Sequence, residues 1–188
     1  MQKPNKKNNV YYIDNKLFFE EMKKYRAARI LAETEGKKIP KIPDYIGECF
    51  FKIANKLSNR PNFINYSYKE EMIGDGIENC INYMNSFDPE KSNNPFAYFT
   101  QIVWHSFIHR IQKEKKQQYI KYKSMNNMII NNEHFIGDDS FYSISPERIS
   151  PESYENTQKF IVNYENNIEK TKQKKQEKKA LELFIEEE

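Results

Sequence analysis

The sequence of 188 residues has few cysteines, few glycines and no long apolar run. Its two cysteines, Cys49 and Cys80, fall on apolar faces of predicted helices, so we expect buried thiols in a reducing compartment and no disulfide. No stretch approaches the roughly 18 apolar residues of a membrane span, and the N-terminus lacks the apolar segment of a signal peptide. We therefore expect a cytoplasmic protein with no membrane partner.

The sequence also lacks the patterns that carry catalysis: a nucleophile triad, a glycine-rich phosphate loop and a metal-ligand cluster. His105 and His109 are four residues apart, but Ser106 stands where a zinc protease has its general base, and His134 lies in an irregular stretch. The carboxylates lie on solvated faces or in terminal runs. We predict no enzyme, no catalytic residue, no metal and no cofactor, with a zinc enzyme as an alternative that elemental analysis would test.

Charge is abundant but unevenly placed. Charged residues make up 30% of the chain, the net charge is +3 and the mean hydropathy is −0.93, which predicts a modest core. A basic block follows the fourth predicted helix, and an acidic block ends the chain. This asymmetry favours contact with a polyanion at one place and a separate acidic peptide at another. Two solvated charge runs without a partner would give the same pattern.

Hydrophobic periodicity predicts four amphipathic helices after a polar, disordered segment at residues 1–12. Their boundary signals are Asp14 and Gly36 for the first, Asp44 for the second, a Ser67–Glu70 capping box for the third, and Asn94-Pro95 for the fourth. The positions predicted to face the core are Leu17, Phe18, Met22, Tyr25 and Leu31; Ile46, Phe50, Ile53 and Leu57; Ile73, Ile77, Cys80, Ile81 and Met84; and Phe96, Phe99, Val103, Phe107 and Ile111.

Gly74 and Gly76 lie within one turn of the third helix, where each costs about 1 kcal/mol relative to alanine. Two interpretations remain open at this point. The glycines either permit close approach of another helix or merely weaken the first turn.

The periodicity fades after Ser124. We predict an irregular linker over residues 124–179, with at most a short helix around 160–168 and a flexible lysine-rich spacer. Residues 180–188 form a compact apolar cluster among acids. The predicted fold class is all-α: a small helical domain at residues 1–123, the linker, and a C-terminal peptide on a long, largely irregular tail.

Aromatic residues lie beside the basic end of the fourth helix. Phe99 and Phe107 fit the core stripe, whereas Tyr98 and Trp104 fall beside it. Exposed rings next to lysines can stack on unpaired bases while the charges contact phosphates. Burial in the core is the alternative for both residues.

Three motifs resemble region 2 of bacterial sigma-70-family factors. They are Glu71-Met-Ile-Gly-Asp-Gly76, then Phe87-Asp-Pro-Glu-Lys91 eleven residues after Gly76, and Phe96-Ala-Tyr-Phe-Thr-Gln101. The family typically reads D-L-I-Q-E-G, F-D-P-E-K and F-S-T-Y-A-T-W-W. The run at residues 94–101, the short length and the acidic-hydrophobic terminus are similar to the late-transcription sigma factors of T-even-like bacteriophages. The resemblance covers residues 44–123 best, together with the last nine residues.

The resemblance implies a contact with RNA polymerase through the third helix. This helix would dock on the clamp coiled coil of the polymerase β′ subunit, with Asp75 standing where the family has a glutamate that contacts the core enzyme. The implied core-polymerase-binding residues are Ile73, Asp75, Ile77 and Ile81.

The fourth helix would then face a −10-like promoter element. Tyr98 matches the family tyrosine that stacks on a flipped adenine, and His105 falls where the family reads the upstream edge. Gln101 and Ile102 replace the family's tryptophan pair, with Trp104 two positions later. The implied DNA-binding residues are Tyr98, Gln101, Trp104, His105, Arg110, Lys113, Lys115 and Lys116, with the lysines on phosphates.

The C-terminus fits the L-x-L-F pattern of peptides that bind sliding clamps, in which an apolar anchor enters a pocket while acids lie at a basic rim. The implied binding residues are Leu181, Leu183, Phe184 and Ile185. The resemblance also implies contact of this peptide with the polymerase β-flap, and a late-transcription coactivator as a further partner.

We therefore expect a sigma factor for phage late promoters, acting in the bacterial host cytoplasm at the nucleoid. It would bind core polymerase, recognise and help melt a TATAAATA-type element, and be activated by the sliding clamp. No second helix-turn-helix domain for a −35 element is recognisable. The alternatives are a polymerase-binding transcription inhibitor and an autonomous DNA-binding regulator.

Overall fold

A computed structural model of the protein describes residues 12–130 and 150–186, with side chains at 12–128 and 150–179. Every regular element in these ranges is a helix, which confirms the all-α class there: α1 (Asn15–Thr34), α2 (Asp44–Ser58), α3 (Lys69–Tyr83), a short 3-10 turn (Met84–Ser86), α4 (Pro95–Ile130) and α5 (Pro151–Glu186). None of the described helices combines the length and apolar character needed to cross a bilayer. Of the segment predicted to be disordered, residues 1–12, only Tyr12 is described, and its ring packs edge-on against Phe96 at 5.7 Å.

The chain forms two compact units, Met1–Gln112 and Lys113–Glu188. The boundary between these units, at Gln112–Lys113, differs from the domain boundary predicted at residue 123. The reason is that the last part of α4, from Lys113 onward, belongs with α5 in the second unit. The predicted boundary followed the loss of apolar periodicity, whereas the observed boundary follows packing.

The local signals for helix ends are largely confirmed. The Asp14 carboxylate accepts hydrogen bonds from the backbone N–H groups of Lys16 and Leu17 at 2.9 and 3.2 Å, and Gly36 follows α1 in the left-handed conformation with φ of 66°. Asn94 caps α4 by accepting from the N–H of Ala97 at 3.0 Å.

The predicted capping box at the start of α3 is wrong. The helix begins at Lys69, after Tyr68, and no side chain caps it. Ser67 lies in the turn that precedes the helix, one position before the N-cap residue Tyr68. It is therefore too early in the chain to cap α3.

The core of the first unit is built from aromatic rings. Phe18, Phe50 and Phe99 are fully buried, with ring centroids of Phe50 and Phe99 4.6 Å apart and those of Phe18 and Phe99 5.7 Å apart. All four predicted core positions of α2 are buried. Leu17 and Leu31 of α1 are instead 45% and 58% exposed, because each lies one position before a residue that faces the core, Phe18 or Ala32.

Of the five core positions predicted for the third helix, Cys80 and Met84 are buried, whereas the three isoleucines lie one position away from the buried row. Met72, Gly76, Cys80 and Met84 are buried at four-residue steps, whereas Ile73 and Ile77 are half-buried and Ile81 is 43% exposed. One position corresponds to about 100° around a helix. The predicted isoleucine stripe therefore lies at the edge of the interface rather than at its centre.

Gly76 explains this register, because it lies where α3 meets α4. A Cβ atom at Gly76 would lie 3.1 Å from both Val103 Cγ1 and Phe107 Cε1, whereas a Cβ at Gly74 meets nothing within 4 Å. Of the two open interpretations, close helix approach holds for Gly76. Gly74 has no such role.

In the second unit, the expectation of an irregular tail is wrong wherever the structure describes it. Residues 124–130 complete α4, and α5 is one continuous helix over Pro151–Glu186 rather than a short helix at 160–168. Ser150 Oγ accepts from the N–H of Ser153 at 3.2 Å, an N-cap followed by proline at the first position. Residues 131–149, which include His134, lie outside the described residues.

Aromatic contacts hold α5 against the end of α4. Tyr164 stacks on Tyr119 with ring centroids 4.5 Å apart, and Phe160 meets the ring of Tyr122 edge-on at 5.4 Å. This packing explains why the first part of α5, up to about residue 165, is helical although its hydrophobic periodicity is weak. Most helical stability in proteins comes from such tertiary contact rather than from propensity.

Both cysteines are free and buried, as predicted. Burial raises the pKa of the Cys80 thiol to about 12, and burial likewise raises the pKa of Cys49. Both side chains are therefore neutral at physiological pH and pack as small hydrophobic groups.

Candidate nucleic-acid interface

One face of α4 is exposed along its length in the first unit. Ala97, Gln101, His105 and His109 recur at four-residue steps, and all four are exposed; we call them the α4 row. Residues four apart on a helix are neighbours, so Gln101 and His105, both predicted to contact DNA, lie side by side. Among the described residues, no group of three or more His, Cys, Asp or Glu side chains could hold a metal ion.

Tyr98 lies beside the α4 row and is half-buried. Its ring centroid is 5.3 Å from that of Phe87, and its ring meets Phe99 edge-on at 5.1 Å. Burial raises the pKa of the Tyr98 hydroxyl, and the nearby Cys80 adds to the effect, so the phenol is neutral at physiological pH. The ring is thus held in one place by packing while part of its surface reaches solvent.

The segment beneath Tyr98 is fixed by a residue of α1 that sequence reasoning missed. Arg26 Nη1 donates a hydrogen bond to the carbonyl oxygen of Phe87 and lies 3.4 Å from the carboxylate of Asp88. Phe87 itself is 1% exposed. Arg26 therefore positions the Phe87-Asp88 corner on which Tyr98 rests. No local pattern signals this contact, since it joins residues 61 positions apart.

Trp104 is half-buried at the border of the α4 row. Its ring meets that of Phe63 edge-on, with centroids 4.8 Å apart, and Phe63 is buried in the connection between α2 and α3. Trp104 lies three positions after Gln101, on the neighbouring side of the helix. Part of the Trp104 side chain therefore packs in the core, and the rest lies at the surface. Each of the two predicted placements is correct for part of this residue.

Arg110 and Asp75 form a two-bond ion pair between α4 and α3. Arg110 Nε donates to Asp75 Oδ2 at 2.6 Å, and Arg110 Nη2 donates to Asp75 Oδ1 at 2.8 Å. The Arg110 side chain is 18% exposed and that of Asp75 is 32% exposed. The sequence assigned these two charges to different external partners, DNA and polymerase. In the structure each is neutralised by the other in a geometry that strengthens hydrogen bonds.

A second polar contact between α3 and α4 lies one turn away. Asn79 Nδ2 donates to Ser106 Oγ at 2.9 Å, and Ser106 is 4% exposed. Together with the Asp75–Arg110 pair, this bond fixes the register of the two helices, because a shift by one turn would break both contacts and leave buried polar groups unsatisfied.

The Asp75–Arg110 pair is expected to be strongly coupled. In a double-mutant cycle with Asp75→Ala and Arg110→Ala, we expect a coupling energy of about 1–3 kcal/mol, because the pair is bidentate and shielded. The exposed pair Glu48–Lys52 is the matched control, with an expected coupling of about 0.3–0.5 kcal/mol. Urea unfolding of the four variants of each cycle measures both values. Equal coupling in the two cycles would show that the α3–α4 pair has no special role.

The outer edge of α3 carries an apolar row of half-buried Ile73 and Ile77 and exposed Ile81. These are three of the four residues predicted to bind polymerase, and they recur at four-residue steps. Tyr83, 54% exposed, lies about 200° from Ile81 around the helix and is not part of this row. Such a row on an otherwise polar helix is the pattern of a helical docking surface.

The lysines predicted to contact phosphates lie on the part of α4 that belongs to the second unit. Lys113, Lys115 and Lys116 are all exposed. Lys113 and Lys116 are three positions apart and share a side of the helix, whereas Lys115 lies about 200° from Lys113. A partner bound on one side of α4 could contact Lys113 and Lys116 together but would not contact Lys115 at the same time.

The C-terminal residues predicted to bind the sliding clamp or the β-flap lie in the last turns of α5. The helix extends to Glu186, but the side chains of Leu181, Leu183, Phe184 and Ile185 lie outside the described residues. Their assignment therefore stays a prediction.

Comparison with protein-family models gives no match, and comparison with curated proteins gives no similar sequence.

Proposed function

We propose that this protein is a transcription initiation factor of the sigma region 2 type. It binds bacterial RNA polymerase core and directs it to phage late promoters that carry a TATAAATA-type −10-like element. The observation that carries the proposal is the packing of Tyr98 on Phe87, because this contact joins two motifs that each resemble the family. The motif at residues 71–76 packs through Gly76 against Val103 and Phe107, further along the same helix that carries Tyr98.

Polymerase binding is assigned to the apolar row on α3. Ile73, Ile77 and Ile81 pack against the β′ clamp coiled coil as the apolar anchors of a helix–helix contact. Asp75 acts differently from what the sequence predicts, since its charge is held by Arg110. Its part in the contact is to hold α3 against α4 rather than to supply a free charge.

Promoter recognition and melting are assigned to Tyr98 and the α4 row. A neutral, partly exposed ring offers a surface on which an unstacked base can rest, worth about 1–3 kcal/mol per base. That gain offsets part of the cost of opening the duplex. Gln101 and His105 carry the donors and acceptors that contact base edges beside the opened segment.

Activation is assigned to the C-terminal peptide. Leu181, Leu183, Phe184 and Ile185 bind the sliding clamp, which tethers the factor to DNA and raises its local concentration at the promoter. The β-flap is the second surface for this peptide, and a late-transcription coactivator is a further partner. The protein acts in the bacterial host cytoplasm, at the nucleoid.

Run-off transcription tests the proposal. Bacterial core polymerase is given a template with one TATAAATA-type element, with and without this protein, and a template with the element scrambled is the control. We expect a specific transcript only when the protein and the intact element are both present. Absence of that transcript while the protein remains bound to polymerase would contradict the proposal and favour an inhibitor. Specific protection of the duplex without polymerase would favour an autonomous regulator.

A further inference from the structure

Residues 169–179 of α5 form a strongly basic stretch that the proposed function does not use, since clamp binding is assigned to residues 181–185. Residues 166–179 are all exposed and all helical. Within 169–179 the chain carries six lysines and only two acids, Glu169 and Glu177. A helix exposed on every side over several turns gains little from packing within its own chain, so its charge pattern is the guide to its role.

The charges on this helix are sorted by side. At about 100° per residue, the six lysines fall within one sector of about 200°, whereas Glu169, Gln173, Gln176 and Glu177 fall in the remaining sector. We call the lysine sector the α5 basic face; it consists of Lys170, Lys172, Lys174, Lys175, Lys178 and Lys179. Between Lys170 and Lys179, the only other residue in this sector is Thr171, which is also polar.

The spacing of these lysines opposes helix stability when the helix is alone. Lys170, Lys174 and Lys178 follow one another at four-residue steps, as do Lys175 and Lys179. Like charges at this spacing destabilise a helix by a few tenths of a kcal/mol per pair, and a glutamate four residues before a lysine stabilises it. None of the six lysines has a glutamate at that position.

Two other helical lysines show the stabilising arrangement. Lys159, earlier in the same helix, lies 2.7 Å from Glu155, and Lys52 of α2 lies 2.9 Å from Glu48, both at four-residue spacing. The α5 basic face therefore lacks the glutamate-to-lysine spacing that these two lysines have. A polyanion bound along the face would remove the repulsion between them.

We propose that the α5 basic face binds the phosphate backbone of duplex DNA without sequence selection. The face spans about 14 Å along the helix at 1.5 Å per residue, and about 14 Å of duplex presents roughly eight phosphate charges. A membrane surface fits less well, because an interfacial helix needs an apolar face and the side opposite the lysines carries only Glu and Gln. The contact is separate from promoter reading, since it requires neither polymerase nor an opened strand.

The salt dependence of binding tests the proposal on the full chain. Fluorescence anisotropy follows binding to a short duplex without a TATAAATA element between about 50 and 200 mM salt. Replacing Lys170, Lys174 and Lys178 by Gln is expected to reduce the slope of log K against log salt by about 2.7, which is about 0.9 per phosphate contact. The same positions changed to Arg are expected to keep the slope of the unmodified chain.

The matched control removes three lysines from the first unit. Lys24, Lys37 and Lys52 each lie within 2.9 Å of a glutamate, and their replacement by Gln changes the net charge by the same amount. We expect this variant to keep the slope of the unmodified chain. Lysine and glutamine have similar helix propensities, and circular dichroism verifies that both variants are equally helical.

Three results would overturn the proposal: no binding of the unmodified chain at the lowest salt, an unchanged slope in the α5 variant, or an equal change in the first-unit control. Tighter binding to vesicles of anionic lipid than to the duplex would assign the face to a membrane instead. Because this assay contains neither polymerase nor promoter element, its failure is distinguishable from failure of the proposed transcription function.

Discussion

Replacing Tyr98 with alanine is expected to lower promoter-specific transcription by about five- to 150-fold, the equivalent of about 1–3 kcal/mol of base stacking. Tyr98→Phe is expected to retain most activity, because the ring rather than the hydroxyl supplies the stacking surface. A template with the element already mismatched should recover most of the loss, since its bases are unstacked before the factor arrives. Run-off transcript yield at saturating protein measures all three.

The control must separate stacking from packing, because the Tyr98 ring also rests on Phe87. Tyr66 serves this purpose: it is half-buried in the same unit and packs against Tyr68 with ring centroids 5.2 Å apart. Tyr66→Ala removes a comparable ring away from the α4 row, and thermal unfolding of both variants compares their stability. Equal losses of transcription in the two variants would show that Tyr98 acts only through stability.

The two glycines of α3 are expected to respond with opposite sign to the same substitution. Gly76→Leu is expected to lower the free energy of unfolding by about 1–3 kcal/mol, because its side chain must displace Val103 and Phe107, both fully buried. Gly74→Leu is expected to raise it by about 0.5–1 kcal/mol, since the site is open and leucine is the better helix former. Urea unfolding measures both.

This pair is its own control, because the glycines are two positions apart in one helix and receive the same side chain. Any effect of leucine on the unfolded chain is common to both variants and cancels in their difference. If Gly76→Leu proved as stable as the unmodified chain, α4 would not lie as close to α3 as the 3.1 Å contacts require.

The parts of the fold that depend on local chemistry could be predicted from the sequence. Asp14, Gly36 and Asn94 end or begin helices through their own side chains or backbone, and the stripe of α2 has one clean period. The register of α3 could not be predicted in this way. It is decided by the approach of α4 to Gly76, a contact between residues far apart in the chain.

The helical tail was missed for a related reason. The predicted short helix at 160–168 contains Phe160 and Tyr164, which stabilise α5 through rings on α4. The rest of the segment, rich in Asn, Lys and Glu, has no apolar period that indicates a helix. The lysine-rich segment contains strong helix formers, whose propensity favours a helix. Its high charge favours a flexible spacer instead, and the sequence prediction followed the charge. Summing propensity over the segment would have favoured a helix.

For the candidate site, sequence motifs identified Tyr98 but not what holds it. Phe87 and Arg26 beneath the ring become visible only once α1, the Phe87 corner and α4 are brought together. The motifs also assigned Asp75 and Arg110 to separate partners. Their mutual ion pair depends on helix register, which no short-range pattern encodes.

The polar contacts Asp75–Arg110 and Asn79–Ser106 hold α3 against the first-unit part of α4. Under the proposed function, a partner that binds α3 brings the α4 row close to the promoter without changing the conformation of that row. Its effect is then one of effective concentration, of about millimolar order for a tethered site, rather than of allosteric switching. Weakened α3 contacts could therefore be compensated by adding more protein, whereas defects in the α4 row would persist at saturation.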